Sequence, residues 1–554
     1  MPFEGTALVK LYDKKKMERA NFDEKNDKMA PFIAPSRLGI TGAVAPGDKQ
    51  TRGVFDSTGL FAGELCSQFI AGHIINPSQR WITYVPYSNN YEIGDEEMEF
   101  AEECRDRTLR HLSSSLFYAE GPESLVDFVG FGTGCLFNEE VPQPINRTIK
   151  GFRGFAFRAV KTGRFVILSE SCDGLVDGLG CEYMIEGGKI KERWPNAQLP
   201  DDIQRQITLD ATKEFKCLHI ILPRPLAEQG SIGGKGMPWA SVWILYDKRL
   251  VLDEGGYRVF PAAVPRYHRT PGELYGRGRG DYAFPDIWTL NSAKRMGLED
   301  WALKIKPPPL VRSGSVTGTL RLIPGAPTTV NTFGRPINEV IQPYQTGSHP
   351  EISQIKEEEL RKSIRQIFFV DQILAMLEVN KSEMTAFEFA KKIELLFRLM
   401  GPVYGRTEWE YLYRVADNCF AIQSEARDLP PAPNSLREEG GGVALMFQNP
   451  LAKAQRSGDS EALLMAINDA TPLAQHYPQM LDWIEPDETM VGIMGTRGVP
   501  ARWQRNKRQV ATLRKARDEQ NQQDLALQQA AQVAAVAKDA APTMQLLQGG
   551  GGAA

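Results

Sequence analysis

The 554-residue chain exceeds the roughly 250–300 residues at which a single hydrophobic core stops growing, so two or more structural regions are expected. Apolar residues make up 42% of it, which is ordinary for a globular protein and excludes wholesale disorder. A net charge of −4 excludes the globally basic balance of a protein that grips nucleic acid through many phosphate contacts.

The N-terminal stretch MPFEGTALVKLYDKKKMERANFDEK has no apolar leader segment, and no run of 18 or more apolar residues occurs anywhere. Neither export nor a membrane span is expected, and the protein should be made and assembled in the cytoplasm of the cell that expresses it. Residues 1–50 end in the turn-rich APSRLGITGAVAPGDK and read as an arm or a loosely packed start. From Val54 to Ile75 the pattern is helical until Asn76-Pro77 ends it, and WITYVPY at 81–87 is a strand candidate. Residues 94–120 are helical behind the acidic run DEEMEFAEE, which suits a helix N-terminus.

Residues 121–260 form the β-rich part, with GFAFRAV, GRFVILSE, CLHIILP, ASVWILYD and YRVFPAAV as strands. A helix over 285–305 must stop at KPPPL, because proline has a fixed φ and no N–H. Residues 306–348 hold Pro and Gly throughout and read as a small non-helical insertion. Leu360, Ile364, Ile367 and Leu374 place one apolar face on a helix over 350–379. A second helix follows VNKSEMT and should kink at Gly401-Pro402. LPPAP ends it, GGVALMF at 441–447 is a strand, and helices resume at 450–475. A long Gln/Ala-rich helix opens at Pro500, and GGGGAA closes the chain.

Catalytic motifs are missing. GSIGGKG at 230–236 has three residues rather than four between Gly230 and Gly234 and no Ser or Thr after Lys235, so it reads as a loop ahead of a strand. GFGTG at 130–134 lacks dinucleotide-site spacing and reads as a β-turn. The seven cysteines form no CxxC pair and should be buried free thiols. The six histidines are isolated, so no metal, no cofactor and no enzyme activity is expected.

Several stretches, in order, carry a resemblance: RGVFDSTGLFAGELCSQFIAGHIINPSQRWITY, FVGFGTGCLFNEE, LYGRGRGDYAFPDIWTLN, PPPL, IPGAP, MTAFEFAKKIELLFRLMGPVYGRTEWEYL, NPLAKAQRSGD, QMLDWIEPDE and GVP. Over about residues 50–510 the chain resembles the portal, or head-to-tail connecting, proteins of short-tailed (podovirus-type) bacteriophages. The resemblance implies an α+β portal fold in a homo-oligomeric ring of twelve copies at one capsid vertex, through which the genome is packaged and ejected. It implies an N-terminal arm (1–50), a wing (51–285), stem helices (286–305 and 349–378) and a clip (306–348). A tunnel loop (379–385), a kinked helix with a wing return strand (386–448), a crown (449–497) and a barrel helix with a tail (498–554) complete it.

Implied partners are further copies of the chain, double-stranded DNA without sequence specificity, a separate packaging ATPase (terminase), tail adaptors, and capsid and scaffolding proteins, with no membrane. The location implied is the virion's head–tail junction. A different phage tail or adaptor component is the alternative.

Candidate channel residues in the loop are Glu378, Asn380, Lys381, Ser382 and Glu383, unless the segment is a plain polar helix–helix turn. On the stem they are Arg361, Lys362 and Arg365, unless these are ordinary solvated charge. Pro307, Pro308, Pro309, Arg321 and Arg335 are candidates for clip docking. Arg502, Arg505, Lys507 and Arg508 either face DNA or pair between subunits.

Overall fold

A computed structural model describes residues 4–42, 44–45, 47–78, 80–87, 94–142, 151–225, 230, 234–311, 331–332, 334–343, 350–377, 401–438, 442–447, 465, 467, 485–496, 510 and 512–528. In chain order these give α1 (Gly5–Glu18), α2 (Ala20–Ile33), α3 (Thr58–Ile74), β1 (Ile82–Tyr87), α4 (Asp95–Ser113) and α5 (Phe117–Phe131). Then come β2 (Leu136–Glu140), β3 (Phe155–Ala159), β4 (Phe165–Glu170), β5 (Val176–Glu186), α6 (Gly187–Arg193), α7 (Asp201–Leu209), β6 (Glu214–Pro223), β7 (Trp239–Leu245), β8 (Leu250–Tyr257) and β9 (Ala262–Ala263). Next are α8 (Arg279–Ile305), β10 (Pro309–Val311), α9 (Ile337–Val340), β11 (Ile341–Pro343), α10 (Pro350–Ile367) and α11 (Val370–Leu377). α12 (Gly401–Thr407), a π-helical turn (Glu408–Tyr413), α13 (Arg414–Glu425), α14 (Asn434–Glu438), β12 (Gly442–Phe447) and α15 (Pro486–Thr496) follow. Residues 512–528 are helical and exposed.

The mixed α+β class holds. The chain divides into two units, and the first comprises Met1–Thr83, Cys104–Pro430 and Leu445–Ala454. Its main sheet is antiparallel, in the order β4-β5-β6-β7-β8, beside a three-stranded sheet β3-β2-β9. Both faces of the five-stranded sheet are covered, which explains why CLHIILP and ASVWILY read as near-continuous apolar runs. One face packs Ile167, Leu179 and Ile221 against Cys135, Phe137 and Phe260. The other packs Leu218, Ile220, Val242 and Ile244 against Leu8, Val9 and Tyr12 of α1. Trp194, Ile203 and Ile207 from the α6–α7 segment cover Phe215, Cys217 and Leu245.

Residues 1–50 are therefore not a loose start. α1 and α2 form, and Leu8, Val9, Tyr12, Met29, Phe32 and Ile33 are buried. The turn signals at 35–48 follow apolar positions that α1 and α2 bury. The region 121–260 is also less purely β than its pattern suggests, for it includes the rest of α5 as well as α6 and α7. The longest strand, β5, hides behind Gly178 and Gly180. A Cβ on Gly180 would lie 2.8 Å from the Tyr12 ring, so glycine there admits α1 onto the sheet.

GFGTG is no β-turn but the end of α5. Gly132 adopts φ +86 and its N–H donates to Phe128 O at 3.1 Å, a left-handed helix cap. In GSIGGKG, residues 231–233 lie outside the described ones, and Gly234–Gly236 make one 3₁₀ turn before β7. Six cysteines are buried free thiols, and Cys172 is exposed.

The second unit comprises Tyr84–Glu103, Pro431–Ala444 and Gln455–Ala554. β1 and β12 form a two-stranded sheet. Within this unit the Ser435 hydroxyl donates to Glu97. Arg514 holds Asp487 through two bonds of 2.7 and 2.5 Å.

Candidate functional site

The helices that bracket the proline-rich insert are α8 and α10. α8 opens where Gly278 caps it, with the Gly278 N–H donating to Asp281 Oδ2 at 2.8 Å, and begins at Arg279 rather than at 285. It stops at Ile305, before Pro307–Pro309, as proline dictates.

α8 and α10 pack on each other. Ile287, Leu290 and Ile364 are buried between helices. The Ser363 hydroxyl donates to Asp286 Oδ2 at 2.6 Å, and Lys294 Nζ lies 3.5 Å from Glu357. Arg361 is the hub, reaching Asp56 at 3.0 Å, Glu357 at 3.2 Å and Glu358 at 2.5 Å. Burial alone would raise the Asp56 pKa. Hydrogen bonds from Thr58 and Arg361 outweigh it and hold the carboxyl below its usual value.

The outer half of α8 is different. From Arg295 to Lys306 every residue but Asp300 is exposed. Among them are Met296, Leu298, Trp301, Leu303 and Ile305, with Trp301 63% exposed. Leu298, Trp301 and Ile305 fall at i, i+3 and i+7, one helical row, and Met296 with Leu303 makes a second. Arg295–Glu299 and Asp300–Lys304 pair at 3.0 Å along the helix.

The expected single helix over 350–379 is two helices, α10 and α11, parted at Phe368-Phe369, with Phe369 at φ +58. The apolar face counted from sequence runs unbroken through this joint because periodicity does not register one residue of reversed backbone. β10 and β11 pair antiparallel across the neck of the insert, Pro309 opposite Pro343 and Val311 opposite Ile341. The kink expected at Gly401-Pro402 falls at the first described residues of α12, and the irregularity seen is the π-helical turn after it.

The sequence-derived candidates fare unequally. Arg361 turns inward to Asp56 and Glu357. Lys362 is exposed, and Arg365 Nε is 3.4 Å from Asp371. Pro307 is half-buried and Pro308 exposed, Pro309 lies in β10, and Arg335 is exposed. Glu378, Asn380, Lys381, Ser382, Glu383, Arg321, Arg502, Arg505, Lys507 and Arg508 lie outside the described residues.

Sequence reading missed Asp56 as the partner of Arg361, although its acceptance of the Thr58 N–H at 2.9 Å marks a helix start. It also missed the buried pair Arg266–Glu410, 144 positions apart, which leaves no local signal. Among the described residues no helix is long and apolar enough to cross a membrane.

The sequence profile described as "Bacteriophage head to tail connecting protein" matches residues 6–503. The portal protein of Salmonella phage epsilon15 is 24% identical over 550 residues, covering 95% of this chain and 94% of that one. Two solved structures are also similar. The neck of a native gene transfer agent (GTA) particle computed with C12 symmetry is 12% identical, with 79% of this chain and 91% of that one covered and a TM-score of 0.35. The virion of a native GTA particle is 13% identical, with 77% and 92% covered and a TM-score of 0.34. Likeness at those TM-scores is too slight to define a fold.

Proposed function

The chain belongs to the bacteriophage head to tail connecting protein family, and on that premise we propose that it is the portal subunit, closing as a ring of twelve copies at one capsid vertex. The ring sits at the head–tail junction of the virion. DNA enters and leaves through its hole, and the packaging ATPase and tail adaptors dock on its outer end. It does no chemistry of its own.

The observation that carries this reading is the outer half of α8. The outer half of α8 exposes Met296, Leu298, Trp301, Leu303 and Ile305, two apolar rows without cover among the described residues. Neighbouring copies in a ring would cover both rows at once, one from each side.

In this reading residues 51–285 are the wing, 286–305 and 349–378 the stem, and 306–348 the clip. Residues 379–385 are the tunnel loop, 386–448 the kinked helix and return strand, 449–497 the crown and 498–554 the barrel. The short pair β10–β11 supports the clip assignment, because it brings Pro309–Val311 and Ile341–Pro343 together at the neck of the insert.

A subunit with net charge −4 suits a guide that does not pin its cargo, since each phosphate contact releases counterions and adds affinity. On the stem, Lys362 is the better contact for DNA, being exposed, while Arg361 is spent on Asp56. Lys381 in the loop is the other. In the barrel, Arg502, Arg505, Lys507 and Arg508 form the basic face.

Mass photometry of the purified protein tests the ring. Twelve copies of 61.8 kDa give a particle of about 0.7 MDa, and negative-stain images would show an axial hole. Monomers or dimers alone at every salt concentration would refute it.

A further inference from the structure

The chain leaves regular α-helix on each side of residues 378–400. Before them, Phe369 parts α10 from α11 at φ +58. A phenylalanine in the left-handed region is strained, and such strain persists only where the surroundings over-determine it. After them, α12 runs into the π-helical turn Glu408–Tyr413. Single π turns re-aim side chains and recur at functional positions. Here the turn buries Glu410.

One loop holds both irregularities. Arg266, between β9 and α8, is fully buried. Its backbone N–H and its Nε donate to Glu410 Oε2 at 2.8 and 3.3 Å, and its Nη2 donates to Oε1 at 2.7 Å. Its remaining donors reach Gly174 O at 2.6 Å and the carboxylate of Glu170 at the end of β4. The next residue, Tyr267, accepts from Arg279 Nε at 2.8 Å. The Arg279 guanidinium in turn lies 4.3 Å from the Phe369 ring centroid and 5.5 Å from that of Tyr267. A continuous path therefore runs Phe369–Arg279–Tyr267–Arg266–Glu410, with one peptide bond between its two halves. The loop is itself pinned, since Tyr267 N–H donates to Gly132 O at 2.9 Å.

The geometry points to a mechanical coupling between the Phe369 joint and the Glu408–Tyr413 turn, carried by Arg266 and Tyr267 and felt also at Glu170. Glu410 cannot leave Arg266 without stranding a buried charge, so the contact changes as a unit and does not yield gradually. The strained joint is clamped by the residue beside that charge. Moving either irregularity disturbs the clamp on the other. This is a property of the single chain and stands whether or not the ring forms.

Hydrogen–deuterium exchange of the full-length protein tests it, read in peptides covering 370–377 and 408–413. Phe369→Gly relieves the backbone and removes the ring from Arg279. It is expected to speed exchange in both peptides, by about five- to tenfold in the distant one. Glu410→Gln is expected to do the same in the opposite direction, and Phe369→Tyr, which keeps the ring, to change neither. The double variant Phe369→Gly/Glu410→Gln should fall short of the product of the singles. If Glu410→Gln does not fold, Arg279→Gln asks the same question from the less buried end. Faster exchange confined to the mutated side would overturn the coupling. So would a uniform rise that includes β6 and β7, because that reports global loosening.

Discussion

Glu182 on β5 receives four donors on two oxygens: Tyr12 OH at 3.2 Å, Lys16 and Lys216 at 3.0 Å, and Arg164 at 2.9 Å. Burial alone would raise its pKa, but the hydrogen bonds from Lys16 and Lys216 prevail and hold it at about 2. A carboxyl depressed in the folded state adds stability above its unfolded pKa, and that stability is lost as pH falls through the folded value. The contribution here is on the order of 1–2 kcal/mol after allowance for solvent screening. The unfolding free energy of wild type minus that of Glu182→Gln should thus be level above about pH 5 and shrink toward about pH 2. Denaturant titrations at a series of pH values measure it, and a pH-independent difference would show that the charge of Glu182 does not matter. Adjacent residues of α10 divide in the same way. Arg361→Gln leaves Glu357 and Asp56 short of a partner and should cost about 1–3 kcal/mol. Lys362→Gln, on the exposed side, should stay within about 0.5 kcal/mol. Equal losses in chemical denaturation would contradict the division.

The joint between α5 and the loop before α8 depends on Gly132. A Cβ there would meet Gly278 N at 2.4 Å and Gly276 O at 2.5 Å, at φ +86, so Gly132→Ala should lose about 2–4 kcal/mol and lower the melting temperature. Little loss would mean that the loop yields easily. The insert is the opposite case. Replacing residues 312–340 with a short Gly–Ser linker keeps β10 and β11 paired, and should spare folding while abolishing docking of the packaging ATPase and tail adaptors. Pull-down of those partners by the variant ring would refute the clip assignment. These two elements also mark how far sequence carries. KPPPL announces the end of α8 because proline forbids its continuation, and the apolar runs of β6 and β7 announce buried strands. β5 goes unseen because Gly180 answers to Tyr12, 168 positions away in chain order, and no local pattern encodes that contact. The Arg361–Asp56 and Arg266–Glu410 pairs are hidden for the same reason: their residue types are legible but their pairing is tertiary.

At the scale of the molecule, the apolar outer half of α8 stands uncovered among the described residues. Fully burying a side chain of the size of Leu or Trp gains about 1.5–3 kcal/mol, so the rows Leu298–Trp301–Ile305 and Met296–Leu303 can together drive association of neighbours. In a closed ring each copy makes this contact on both sides, and a defect is therefore repeated at every interface. Trp301→Glu with Leu298→Glu puts charge on one row without touching the buried face at Ile287 and Leu290. The double variant should keep the far-ultraviolet circular dichroism and thermal transition of the unassembled subunit. In mass photometry it should lose the ring of about 0.7 MDa expected from 61.8-kDa copies, at low and high salt alike, since the contact is apolar and not screened. Assembly that is weakened only at high salt would instead assign the interface to charge pairs, with Arg295, Glu299, Asp300 and Lys304 the first to exchange between copies. Full rings from the variant would remove α8 from the interface altogether.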